Sequence, residues 1–238
     1  MAIELVPSVD LVEANAKLAT ARPQEILRWA VETFGAKLTM ATAFGPEGCA
    51  IIHMLAEIDR SVRVFNLDTG YQFGETLELR ERIAARYGIE VEYVRSPTSV
   101  PEYEASNGGP IYGSDPDRCC RDRKILPLHR AVEGYDAWIS AIRADQSAHR
   151  ARADVVGWDS KFGLVKINPL LKWTKRDVWA FVVTNNVPYN PLHDQGYPSI
   201  GCWPCTRPVN AGDDERAGRW AGQAKTECGL HSLDSSQL

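Results

Sequence analysis

The spacing of apolar positions changes several times along the chain, and each change marks an element. Residues 10–20 are polar with spaced Leu and Val, and residues 23–34 open on Pro23 and stop at Gly35, which predicts two helices. Residues 37–42 then form a short apolar run, followed by a turn at 44–48 and a helical run over 49–58. The same order recurs as a strand at 62–67, a turn at Asp68-Thr69-Gly70, a helix at 75–87 capped by Gly88, and a strand at 89–94. Such alternation predicts an α/β protein with a doubly wound, mostly parallel sheet carrying helices on its faces.

The second half is less periodic. Residues 96–118 are rich in Pro, Gly, Ser, Asn and Asp, which predicts a long surface loop, and a helix follows from about 119 to 132. Residues 138–142 and 155–156 fit further strands, and 161–167 a small edge hairpin. Thr174 and Asp177 form a capping box for a helix that turns Val178, Trp179, Phe181 and Val182 inward. After Asn186 the pattern fades into a loop and then a tail expected to be mobile. The expected organisation is a nucleotide-binding domain over 1–205 and a C-terminal segment over 206–238.

Composition narrows the function classes. The chain has 238 residues, of which 44% are hydrophobic and 24% charged, enough for a core that needs no covalent staples. A formal charge of −4 argues against a general nucleic-acid binder, so any anion site must be a local cluster of basic residues. The first ten residues lack a basic start and an apolar signal core, and no apolar run approaches the roughly 20 residues that span a bilayer. These features predict a cytoplasmic protein with no membrane partner. In that reducing compartment six cysteines point to metal ligands and reactive thiols ahead of disulfides.

Four of the six stand as two close pairs, Cys119-Cys120 and Cys202-Trp203-Pro204-Cys205. Two such pairs can converge on one centre of soft metal. Adjacent cysteines diverge by about 100° on a helix, which fits a [4Fe-4S] cluster better than one tetrahedral ion; structural zinc is the alternative. Lys124 follows Cys120 by four residues and would share its helix face, where an ammonium could offset cluster charge and reach an anionic substrate. Cys49 falls in an apolar helical run and reads as a buried, inert thiol. Cys228 lies in a polar tail with His231 three residues on, and an accessible thiol beside an imidazolium has the features of a nucleophile.

Two glycine-bearing strand-to-helix turns, Thr42-Ala43-Phe44-Gly45 and Asp68-Thr69-Gly70, stand where parallel sheets bind ligands. Each reads equally as a phosphate cradle or a plain turn, and the first lacks the lysine of an ATP-hydrolysing loop. Arg143 lies at the end of a candidate strand, with Arg150 and Arg152 following. Arg216 and Arg219, three apart, would share a helix face and could grip a phosphate or sulfate.

Together these motifs resemble the sulfonucleotide reductases, and closely the assimilatory adenylyl-sulfate (APS) reductases that carry a [4Fe-4S] cluster. The resemblance rests on Leu67-Asp68-Thr69-Gly70, Cys119-Cys120 with Arg123-Lys124, Arg143-Ala-Asp-Gln-Ser147, Cys202-x-x-Cys205, Arg216-x-x-Arg219-Trp220 and Glu227-Cys228-Gly229-Leu230-His231. It implies a fold related to the adenine-nucleotide pyrophosphatases, with the paired cysteines as cluster ligands. It also implies reduction of adenosine 5′-phosphosulfate to sulfite and AMP through an S-sulfocysteine on Cys228, with His231 beside it. Thr42, Phe44, Gly45, Asp68, Thr69 and Gly70 would meet the nucleoside, and Lys124, Arg143, Arg216 and Arg219 its sulfate and phosphate. Where these enzymes typically show Ser-Ser-Phe-Gly, this chain has Thr42-Ala43-Phe44-Gly45, leaving a single hydroxyl. With four cysteines on iron and Cys49 buried, the count leaves no internal resolving thiol, so an external dithiol such as thioredoxin is expected. The 3′-phosphorylated nucleotide (PAPS) is the alternative substrate. A tRNA-thiolating or ATP-activating enzyme of the same fold and a zinc-stabilised nucleotide-binding module are the competing readings, and self-association is left open.

Overall fold

The computed structural model describes residues 9–223 together with 225, 227, 229 and 230. Two short helices, α1 (Leu11–Leu18) and α2 (Pro23–Phe34), lead in. Asp10 caps α1 by accepting from the Val12 and Glu13 amides, and Gly35 closes α2 at φ +50°. β1 (Leu38–Thr42), α3 (Pro46–Ile58), β2 (Arg63–Asp68), α4 (Gly74–Tyr87) and β3 (Val91–Arg95) then alternate as the pattern predicts. Strands β1 and β2 and most of α3 are buried. That is the signature of a parallel sheet covered on both faces, whose strands read as continuous apolar runs.

The remaining strands are β4 (Ala137–Ile139), β5 (Val156–Asp159) and β6 (Leu164–Ile167), and the sheet order is β3-β2-β1-β4-β6-β5. All neighbours are parallel except β5, which pairs antiparallel with β6 at the edge. The expected edge hairpin over 161–167 is therefore corrected. β6 lies inside the sheet, and its Leu164, Val165 and Ile167 are buried on both faces. β5 takes the edge because the hairpin begins earlier, at Val156. Between β1 and β4 the chain reverses its direction of winding, and such a switch point opens a crevice at the carboxyl ends of both strands.

Two other expectations change. The predicted loop over 96–118 contains α5 (Val100–Asn107), capped by Ser99 and Glu102 in a reciprocal box. Its only buried side chain is Tyr103, so there is little apolar periodicity to find. The helix expected from 119 begins earlier, as α6 (Pro116–Cys120), widens into a π-helical turn over Arg121–Ile125, and continues as α7 (Leu126–Ala131). α8 (Lys175–Thr184) has the predicted Thr174–Asp177 box. Among the described residues, no helix is long and apolar enough to cross a membrane.

Candidate active site

A cavity of about 210 Å³ opens at the β1–β4 switch point. Its floor is the turn from β1 into α3. Phe44 sits at φ +56°, a strained conformation for a bulky residue, and the Thr42 hydroxyl steadies it by accepting from the Phe44 amide at 3.0 Å. The single hydroxyl of this loop thus serves the turn itself. Gly48 packs so tightly that a Cβ there would lie 2.6 Å from Thr42 Oγ1. Thr42 and Gly45 line the cavity, as does the first turn of α3, whose unpaired amides favour an anion; Phe44 is buried behind them.

The second turn is held from below. Asp68 accepts from the Gly70 amide at 2.9 Å and from Arg95 Nε at 2.7 Å, and Gly70 takes φ +76°. These residues shape the loop, while Thr69 faces the cavity. Arg123, buried between the rings of Tyr71 and Tyr103, donates to the Thr69 carbonyl and ties this loop to the helix bearing the cysteines.

Cys119, Cys120, Cys202 and Cys205 line one second, small cavity beside the first. Thr69 Oγ1 stands 3.2 Å from Cys202 Sγ. Among the described residues, no three His, Cys, Asp or Glu side chains close on a single-ion site. Cys119 and Cys120 end α6 where the helix widens into the π turn, a distortion frequent at functional sites. Burial pushes the Cys119 thiol up to about 11, and the charges of Cys202 and Cys205 add to the rise; Lys124 and Arg123 oppose it. Burial likewise raises Cys205, with Cys202 contributing. Desolvated, mutually repelling thiolates become favourable once a cationic centre neutralises them, so this donor set fits an iron–sulfur group. Thr69, Lys124 and Cys202 border both cavities and join them.

The basic wall of the larger cavity comes from Arg150, Arg216, Arg219 and Lys124. Arg216 and Arg219 do not share a helix: the segment is a series of turns pinned by a bridge between Thr206 and Arg219. Arg219 lies 4.4 Å over the Trp220 ring and fills the space that a side chain at Gly201 would need. Glu227 accepts from Arg150 at 3.0 and 3.1 Å and from Arg216 at 2.9 Å. Arg143 is 2% exposed and stands behind the cavity, paired with Glu47, with Asp145 at 2.8 Å and with Glu215 at 3.1 Å. It pairs with two carboxylates, Glu47 and Glu215, that line the cavity.

Cys49 is fully buried and pushed up to about 12 by that burial, with its sulfur 3.7 Å from the Phe44 carbonyl. Cys228 and His231 lie outside the described residues. Arg150 and Glu227 were not singled out from the sequence as a pair. Each alone resembles a solvated charge, and only folding brings them across 77 residues. His193, also on the cavity wall, is likewise invisible to sequence reasoning.

An open sheet with a cavity at its switch point places the chain among the doubly wound α/β proteins. Residues 37–208 match the phosphoadenosine phosphosulfate reductase domain. A phosphoadenosine 5′-phosphosulfate reductase of Gloeobacter violaceus is 48% identical over 88% of each chain. An adenosine 5′-phosphosulfate reductase of Salinibacter ruber is 43% identical over 94% of this chain and 90% of its own. The crystal structure of a Candida auris PAPS reductase in a phosphate complex superposes with a TM-score of 0.75 at 32% identity, covering 86% of this chain and 98% of that one. A Candida glabrata FMN adenylyltransferase shares the fold alone, with a TM-score of 0.57 at 13% identity over 84% and 67% of the two chains. The chain belongs to the phosphoadenosine phosphosulfate reductase family and is an oxidoreductase acting on sulfur.

Proposed function

We propose that the protein reduces adenosine 5′-phosphosulfate to sulfite and AMP in the cytoplasm, as a step of sulfate assimilation. The observation that carries this reading is the junction of the two cavities: Lys124 borders both the thiol-lined chamber and the basic wall of the nucleotide pocket. An anion held by Lys124, Arg216 and Arg219 would have its charge offset where a thiolate approaches. Thr42, Gly45 and Thr69 would meet the nucleotide directly, with Phe44, Asp68 and Gly70 shaping their turns. Arg143 would act from behind, keeping Glu47 and Glu215 from repelling the substrate.

Cys228 is the nucleophile in this reading. Its thiolate attacks the sulfate sulfur, the bond from sulfur to the bridging oxygen breaks, and AMP leaves with the electron pair, forming Cys228–S–SO₃⁻. His231 stands beside it in the chain as the neighbouring imidazole. An external dithiol, of the thioredoxin class, then attacks the Cys228 sulfur and releases sulfite. Its second thiol resolves the mixed disulfide, so the dithiol is oxidised by two electrons as the substrate sulfur is reduced by two. Cys119, Cys120, Cys202 and Cys205 would hold a [4Fe-4S] cluster, which when bound would cross-link the helix of Cys119 and Cys120 to the 202–205 segment, with Lys124 offsetting its net negative charge.

The Salinibacter and Bacillus subtilis relatives carry the APS name, whereas the Gloeobacter relative is named for PAPS, so the 3′-phosphorylated nucleotide is the second reading. Incubating the iron-loaded protein with each nucleotide and no reductant tests both. The expected result is stoichiometric AMP from APS and a sulfonate on the peptide containing Cys228. Release of adenosine 3′,5′-bisphosphate from PAPS at an equal or greater rate would overturn the preference. Adduct on Cys49 would overturn the nucleophile.

A further inference from the structure

Lys161, at the tip of the β5–β6 hairpin, stands 68 residues before Gly229 in sequence, yet the two touch. We infer that Lys161, at that tip, is a positioning residue for the nucleophilic segment. This inference rests on the reading of Cys228 as nucleophile.

Lysine is rarely buried without a partner, because its ammonium loses water that something must replace. Lys161 is 4% exposed, and its Nζ donates to the Gly229 carbonyl at 2.6 Å. Phe162, the next residue, belongs to an apolar cluster with Trp138 and Leu164, and Leu230 packs on that cluster. The hairpin thus binds the segment through a charge-assisted hydrogen bond and an apolar seat. On the other side of Cys228 in the chain, Glu227 is gripped by Arg150 and Arg216. Cys228 is one peptide bond from each held residue.

The two grips are not equivalent. Arg150 and Arg216 line the nucleotide cavity, so an incoming sulfate or phosphate competes with Glu227 for them. Lys161 does not line it. Its hold on Gly229 persists when the nucleotide enters, at the moment when the thiol must be aimed at sulfur. Displacement at sulfur requires the attacking and leaving groups in line, and misplacement by an ångström can slow such a step by about 100-fold. A bond to a backbone carbonyl fixes the main chain directly, independent of side-chain rotamers.

The test compares Lys161→Met, which keeps the length and removes the donor, with Lys161→Arg, which keeps the charge, both in the iron-loaded full chain. In Lys161→Met, single-turnover AMP release should slow by about 10- to 100-fold, with the burst amplitude, iron content and AMP dissociation constant unchanged. Amide hydrogens of the C-terminal peptide should exchange faster. Lys161→Arg should recover most of the rate. Wild-type burst rate and exchange in Lys161→Met would overturn the proposal. So would equal loss in both variants with a lowered melting temperature, the mark of a merely structural lysine. A wild-type protein that forms no adduct defeats the nucleophile reading by itself, and the exchange comparison then still decides whether Lys161 holds the segment.

Discussion

The two walls of the nucleotide cavity are built on different principles. One consists of β1, β4 and the turn into α3, where a parallel ladder, a buried helix and a glycine too crowded to replace set each atom. The other consists of the described residues between 196 and 230, where regular structure gives way to turns. There several groups are held by side-chain contacts: Arg219 on its neighbour Trp220, Glu227 on Arg150 and Arg216, Gly229 on Lys161. Backbone hydrogen bonds tolerate most side-chain changes, whereas a charge pair vanishes with either partner. Substitutions in the first wall should therefore act on stability, and those in the second on binding and chemistry with the fold retained.

The largest expected effect breaks the second wall. Cys202→Ser should lose the iron, about four per chain in the wild type, and with it turnover, while the far-ultraviolet circular dichroism of the sheet stays native. Stoichiometric zinc with full activity in the wild type would refute the cluster. Next, the first wall: Met40 of β1 is fully buried, and Met40→Ala should lower unfolding free energy by about 2–5 kcal/mol, read from denaturant midpoints. Nucleotide affinity at temperatures where the variant stays folded should be native.

Arg219→Ala should weaken nucleotide binding by about 1.5–3 kcal/mol, the loss of a charge-assisted bond, measured by calorimetry with AMP and APS. Wild-type affinity would make Arg219 a clamp for Trp220 and Gly201 only.

The smallest effect concerns pH. Burial lowers His193 from its ordinary 6.5 to about 4, so the folded protein resists a proton that the unfolded chain accepts between those values. Stability should fall as pH drops from about 6.5 toward 4. His193→Gln should flatten that slope, checked by denaturant midpoints at pH 7 and pH 5; an unchanged slope would assign the acid sensitivity elsewhere.

The order of strands and helices through β3 was legible because each element is long enough to show its own period, and α2 and α4 are closed by Gly. The Thr174–Asp177 capping box, Gly35 and Gly88 were legible for the same reason: a cap is decided by residues three or four apart. Local chemistry also named the four paired cysteines, which the fold gathers around one cavity, and the inert Cys49. What remained hidden is what depends on distance along the chain. The place of β6 inside the sheet follows from parallel pairing with β4, and α5 hides because a short helix that buries one tyrosine carries no periodic signal. Arg143 looked like an anion ligand until folding set Glu47, Asp145 and Glu215 around it. The sequence by itself determined the layered α/β plan and the donor atoms available. Only the tertiary structure decided which cations face the cavity, which stand behind it, and that Lys161 reaches the C-terminal segment, because partners in charge pairs are chosen by proximity in space and carry no mark of one another in sequence.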